Sequence, residues 1–124
     1  MSTVITHWCK QRGLAAADNP QASHRAVVVD NVRVCLGELP SGALVVESKI
    51  AVLPLADRER DALVDKASRL AVGRICHSRA RLVADAGATA LWLQVVLPGT
   101  SGDEQLSLAV EDLVNEVERW RKAF

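Results

Sequence analysis

The most apolar stretch of the chain spans residues 89–97 and alternates with a period of two, which is typical of a β-strand. Its two faces carry, in turn, Leu91, Leu93, Val95 and Leu97, and Ala90, Trp92, Gln94 and Val96. Because both faces are mostly apolar, both need a cover. The helices of the chain are too few to cover two faces of a sheet. We therefore expect the chain's own helices on one face and another chain on the other.

Period-two patterns also predict strands over residues 26–29, 32–39, 43–53 and 79–84. Asp30 and Asn31 form a plausible two-residue turn, and residues 40–42 form a second turn, in which glycine permits an unusual dihedral angle. Gly37 lies inside a strand pattern and indicates a bulge or a close backbone approach. On the third strand one face is expected to carry Leu44, Val46, Ser48, Ile50 and Val52.

Helical spacing predicts three helices. The first covers residues 2–17, and the second covers residues 57–73 with Asp57 as its cap. The third follows a capping box formed by Ser101 and Glu104 and places an apolar stripe along residues 106–120. Glu116 and the neighbouring acidic side chains are expected to lie away from this stripe, on the solvent side of the helix. The order α-β-β-β-α-β-β-α predicts one α+β domain over residues 1–124, with an antiparallel sheet and helices packed on one face.

Charge and cysteine content narrow the class of protein. Lysine plus arginine and aspartate plus glutamate number 15 each, so the formal net charge is zero. Without a basic field we expect neither nucleic acid nor a membrane surface as a partner. The three cysteines lack zinc or redox spacing, which is typical of reduced cysteines in a cytoplasmic protein. The N-terminal residues do not resemble a signal peptide, and no apolar run reaches the roughly 20 residues of a spanning helix.

The sequence carries no motif that indicates catalysis, so we expect no enzyme activity, no catalytic residue, no metal and no cofactor. His77 adjoins Cys76, but neighbouring residues of a strand point to opposite faces and cannot form a nucleophile–base pair there. Arg74, Arg79 and Arg81 cluster near the second hairpin. Without an aromatic platform beside them, they favour a charged rim around an apolar contact over a phosphate or RNA site.

Apolar side chains exceed what one sheet face and three helices should bury. Any one of them could lie in the core, but taken together they favour an interface. The candidates are Trp8, Val27, Val29, Leu39 and Trp92.

Three parts of the chain resemble the class I type III secretion chaperones. They are residues 27–34 continuing to 44–46, residues 90–95, and the acidic amphipathic helix 106–120. The resemblance implies a homodimer that binds the N-terminal segment of a secreted effector in extended form and keeps it competent for secretion without nucleotide hydrolysis. Chaperones of this family are commonly acidic, whereas this chain is neutral. That difference implies a partner segment with less positive charge than usual.

The resemblance also implies two sets of contact residues. The dimer contact would involve Leu63, Ala67 and Leu82, with Trp92 close by. The effector would bind Ile5, Trp8, Val27, Val29 and Leu39, with an added strand along a sheet edge. Two alternatives remain: a non-catalytic α+β interaction or regulatory subunit of a secretion or signalling assembly, and a small enzyme or ligand-binding domain with a pocket under the sheet.

Overall fold

The computed structural model describes residues 3–13 and 24–124, and its elements follow the predicted α+β order. The helices and strands are α1 (Thr3–Gln11), β1 (His24–Val29), β2 (Val32–Glu38), β3 (Leu44–Val52), α2 (Asp57–Arg74), β4 (Arg81–Ala84), β5 (Ala90–Leu97) and α3 (Asp103–Ala123). The predicted fold class is confirmed.

The five strands form one antiparallel sheet in the order β1-β2-β3-β5-β4, so β1 and β4 lie at its edges. Asp30 and Asn31 join β1 to β2 with φ angles of 51° and 65°. Positive φ at both central residues is typical of the turn whose twist matches that of a hairpin. The predicted two-residue turn is therefore confirmed, as is the unusual dihedral of Gly42, which has a φ of 89°.

Helix α3 covers one face of the sheet, which we call the inner face. Its 21 residues span about 30 Å and cross β2, β3 and β5. The inner residues of β5 are all buried, namely Leu91, Leu93, Val95 and Leu97. On the opposite, outer face Val28 is 63% exposed and Val96 is 51% exposed. The chain's own helix therefore covers one face of the sheet, as predicted, and leaves apolar side chains exposed on the other face.

Helix α1 packs against α3 and contributes Ile5, Trp8 and Cys9 to the core. The Nε1–H of Trp8 donates a hydrogen bond to Ser107 Oγ at 2.8 Å. The helix ends at Gln11, and Gly13 follows with a φ of 64°. The prediction of one helix over residues 2–17 was therefore wrong at its C-terminal end, and residues 14–17 themselves lie outside the described residues, as does Ser2.

The bulge of the sheet lies between Lys49 and Ala51 on β3, where the register with β5 shifts. Gly37 instead pairs in register with Val45, so of the two alternatives predicted there the bulge was wrong, and a close backbone approach stays a prediction. The extra residue exchanges the two faces of β3 beyond it. Val52, predicted on the inner face, is consequently 69% exposed, while Leu53 is buried.

Two predicted helix caps were also wrong by one residue. Helix α2 begins at Asp57, but its N-cap is Ala56, whose side chain cannot cap. The N-cap of α3 is Gly102, whose backbone N–H donates to Gln105 Oε1 at 3.1 Å. Gln105 therefore takes the position that the Ser101–Glu104 box predicted for Glu104.

Candidate partner-binding surfaces

Helix α2 is poorly buried for its length. Of its eighteen residues, all of which the structure describes, Ala67 alone is buried. Three exposed apolar side chains, Val64, Val72 and Ile75, lie on the helix or just after it. Their spacings of eight and three residues place them on one side of the helix, and we call them the α2 stripe. Most helical stability in proteins comes from packing, so the α2 stripe is a candidate contact surface.

The α2 stripe borders a groove of about 310 Å³ between α2, β4 and α3. An ion pair lines this groove: Arg74 Nε donates to Glu116 Oε1 at 2.8 Å. Glu116 was predicted on the solvent side of α3 but is only 3% exposed, so that assignment was wrong. Burial raises the pKa of the Glu116 carboxyl, but hydrogen bonds from Arg74 and Ser78 outweigh it, and the pKa lies below its usual value. The groove therefore has apolar walls and, among its lining residues, an ion pair in which the charges of Arg74 and Glu116 offset each other.

The other arginines of the predicted cluster also contact their own chain. Arg79 Nε lies 3.3 Å from Asp112 Oδ2 on α3, and Arg81 Nη1 donates to the carbonyl oxygen of Ser78 at 2.7 Å. The charge of Arg79 is partly neutralised by Asp112, whereas Arg81 keeps its charge and has one of its donor groups occupied by neutral carbonyl oxygens. This arrangement agrees with a charged rim beside the groove and offers little to a phosphate group.

Three of the four residues predicted at the dimer contact come together. Ala67 belongs to the core, and Leu63 and Leu82 pack against the same cluster from α2 and β4. Trp92 pairs with Val83 of β4 and lies on the outer face, on the other side of the sheet. The structure therefore does not place Trp92 in one surface with the other three. The exposed members of this region are in the α2 stripe, which the sequence interpretation missed although its spacing was visible.

The residues predicted to bind the effector are mostly buried in this subunit. Ile5, Trp8 and Val27 belong to the core, and Val29 is half-buried against it. All four therefore belong to one core cluster or pack against it. Leu39 lies apart, in the β2–β3 turn, where its N–H donates to the carbonyl oxygen of Ala43 at 2.8 Å. The buried side chains therefore hold α1 and β1 in place but offer little of their own surface to a partner.

The edge strand β1 and the outer face beside it remain open among the described residues. On β1, the outward-facing Val28 is exposed, and only one side of the strand is paired, with β2. An edge strand with free main-chain groups can accept an added strand from a partner. Edge and outer face together offer main-chain hydrogen bonds next to apolar side chains.

Groups suited to catalysis or metal binding are scattered over the described residues. Cys9 is buried, and burial raises the pKa of its thiol. His77 and Cys76 are exposed and lie in the turn after α2 and not in a strand as predicted. Within residues 3–13 and 24–124 no three histidine, cysteine, aspartate or glutamate side chains are placed to hold a metal ion. None of the described helices has the length and apolar character needed to cross a membrane.

Sequence comparisons give no match, either to protein-family models or to curated proteins. Solved structures do match over nearly the whole chain. A chain of the HopA1–SchA chaperone–effector complex matches with a TM-score of 0.67 at 13% identity, over 97% of this chain and 91% of the other. A chain of the complex between the Yersinia pestis type III secretion chaperone SycH and a fragment of YscM2 matches with a TM-score of 0.63 at 19% identity, over 96% and 98%.

The fold is therefore that of the type III secretion chaperones, and the resemblance drawn from the order of the elements is confirmed at this level. The same fold occurs in YbjN from E. coli, described as a putative transcription regulator, with a TM-score of 0.67 at 13% identity over 96% of this chain and 87% of that one. Identities this low show the fold alone. Function must therefore be argued from the surfaces.

Proposed function

We propose that this protein is a type III secretion chaperone, which binds the N-terminal segment of a secreted effector in extended form and keeps it competent for secretion. The observation that carries the proposal is the edge strand β1, which is paired on one side only and has the exposed Val28 on its outer face, on a fold shared along nearly the whole chain with chaperones solved with their partner proteins. The chain acts without catalysis and without a cofactor, as one chaperone-like domain over residues 1–124 in the cytoplasm.

The chaperone functions as a homodimer through α2 and β4. In the isolated subunit the α2 stripe leaves Val72 73% exposed and Ile75 55% exposed beside an apolar groove. A second copy that packs on this surface would remove those side chains from water, which is the usual source of association free energy. Leu63, Ala67 and Leu82 pack beneath this contact surface and hold α2 and β4 in place. Trp92 lies on the outer face and takes no part in the dimer contact.

The effector segment binds along the edge strand β1 and the surface formed with α1. Main-chain pairing with β1 supplies affinity without demanding one sequence, and pockets for alternate side chains supply selectivity. Ile5, Trp8, Val27 and Val29 hold α1 and β1 in the geometry that the segment recognises, and Leu39 extends the surface at the far end of β2.

The dimer is tested by size-exclusion chromatography with light scattering. We expect a mass of twice 13.4 kDa for the natural protein. Val72→Glu places a charge on the α2 stripe and is expected to yield a folded monomer, since the side chain contacts little in the isolated subunit. Leu108→Glu is the matched control, because Leu108 is 49% exposed on α3, away from the stripe. A monomeric natural protein, or equal effects of both substitutions, would contradict the dimer contact.

Chaperone activity is tested by co-expression with the product of a neighbouring gene, followed by limited proteolysis. Protection of the N-terminal segment of that product, in a complex of two chaperone chains with one partner, supports the proposal. The likeness to YbjN favours a second candidate, a non-catalytic α+β interaction or regulatory subunit. A dimer that protects no segment of an exported protein would move the assignment to that candidate.

A further inference from the structure

Strands β2 and β3 separate at one end of the sheet. Their ladder runs from the pair Glu38–Leu44 to the pair Cys35–Glu47 and stops there, although the structure describes every residue of both strands. The bulge between Lys49 and Ala51 lies just beyond this point. Because a bulge bends its strand and increases the local twist, β3 turns away from β2. Ser48 Oγ bridges part of the gap by donating to the carbonyl oxygen of Arg33 at 2.8 Å.

The gap forms a cavity of about 380 Å³, which we call the β2–β3 notch. It is lined by Arg33, Cys35, Ser48, Lys49, Trp92 and Arg121. Three of these six side chains are cationic in a chain whose formal net charge is zero. The notch is therefore a local concentration of positive charge on a neutral protein.

The Glu47 carboxylate offsets only part of this charge, since it faces three cationic side chains. Glu47 lies on the same face, two residues before Lys49, and its Oε2 accepts a hydrogen bond from Gln94 Nε2 at 3.0 Å. Burial raises the pKa of the Cys35 thiol, so the thiol lines the notch as a neutral group at physiological pH. Arg33, Lys49 and Arg121 thus leave an excess of positive charge for a ligand.

Trp92 adds an unused donor. Its Nε1–H is buried and donates to no acceptor within the described residues. A buried donor without an acceptor is unfavourable, and most such groups in folded proteins are satisfied by some partner. The ring of Trp92 lines the notch and lies 5.6 Å from Lys49 Nζ. An acceptor that enters beside Lys49 would meet a cation, and the buried indole N–H would have to turn toward the notch to reach the same acceptor.

We propose that the β2–β3 notch binds the carboxylate of an acidic side chain carried by an extended partner segment that lies across the outer face. Arg33, Lys49 and Arg121 supply the charge, the indole of Trp92 supplies a donor, and Val28, which pairs with Arg33, supplies apolar contact beside the notch. This inference rests on the proposed function, because the segment is that of the bound effector. A partner with acidic residues also agrees with a chaperone that is neutral and not acidic.

The test uses two fluorescein-labelled peptides of alternating valine and serine, identical except for a central glutamate in one and glutamine in the other. We expect the glutamate peptide to bind about tenfold more tightly by fluorescence anisotropy, as a hydrogen-bonded charge allows. Raised salt should reduce the difference. Lys49→Gln and Arg33→Gln should each remove most of it, whereas Arg58→Gln, an exposed site on α2, should leave it unchanged.

Two readouts separate a donor role of Trp92 from simple packing. Trp92→Phe retains an aromatic ring and removes the N–H. It should lower the affinity for the glutamate peptide several-fold more than the affinity for the glutamine peptide. In the natural protein labelled with ¹⁵N, the indole resonance of Trp92 should shift on addition of the glutamate peptide. The resonances of Trp8 and Trp120, which are buried on the inner side, should not.

Equal affinity of the two peptides, failure of both to bind, or equal losses in Lys49→Gln and Arg58→Gln would overturn the inference. So would displacement of the glutamate peptide by single-stranded RNA at lower concentration, since the notch would then favour phosphate. Proteolytic protection of the co-expressed partner is measured separately. Protection without peptide discrimination refutes the notch alone, and discrimination without protection refutes the chaperone function alone.

Discussion

Ile5 and Trp8 together hold α1 on the core, and we predict that alanine substitutions at the two positions are not additive. Ile5 is fully buried and Trp8 is 2% exposed. Alanine at either position removes most of an apolar side chain from the contact between α1 and α3. Trp8→Ala also removes the hydrogen bond to Ser107.

The magnitude follows from burial and from the length of the helix. Substitutions of this kind in a core cost about 2–5 kcal/mol for isoleucine and about 3–5 kcal/mol for tryptophan. With nine residues, α1 is shorter than the roughly 12–15 residues at which isolated helices become even marginally stable. Once α1 has left the core, further substitutions in it cost little. The double variant should therefore lose about 0.5–3 kcal/mol less than the sum of the single losses.

The measurement is urea unfolding followed by far-ultraviolet circular dichroism at one fixed protein concentration, because a dimer makes stability concentration-dependent. Hydrogen exchange should show faster exchange of the α1 amides in either single variant, with the β3 and β5 amides still protected. Leu108→Ala, at an exposed site on α3, should change stability by less than about 0.5 kcal/mol. Strictly additive losses, or protected α1 amides in Trp8→Ala, would refute this account of docking.

Two further predictions concern the ion pair and the glycines. Because the folded-state pKa of Glu116 is lowered, its stabilisation is present above the ordinary carboxyl pKa and is lost as pH falls through the folded pKa. The melting temperature should therefore fall less on acidification in Glu116→Gln than in the natural protein, with Glu118→Gln as the exposed control, and equal pH profiles would contradict this. A Cβ at Gly99 would overlap the carbonyl oxygen of Gly42, so Gly99→Ala should cost about 1–3 kcal/mol. Gly73→Ala, in open space on α2, should stabilise by up to about 1 kcal/mol, and urea unfolding that showed the same sign for both would contradict the packing argument.

The local pattern of the sequence was sufficient for the elements and their order. Alternation along residues 89–97 correctly separated the inner face of β5 from Trp92 and Val96 on the outer face. Asp30 and Asn31 marked the tight turn because few residue types tolerate positive φ. These features depend on neighbouring residues along the chain, and a single sequence contains them.

The tertiary structure decided what depends on contacts between distant residues. Glu116 looked like a solvent-facing carboxylate of α3, and only the arrival of Arg74, 42 residues earlier in the chain, explains its burial. The bulge lies at Ile50 and not at Gly37, and it shifts the register of β3 against β5, a feature of strand pairing that no local pattern of β3 contains. The same bulge opens the notch at Lys49 and Trp92. Residues far apart in sequence meet there through strand pairing, so the sequence alone could propose a partner surface but could not locate it.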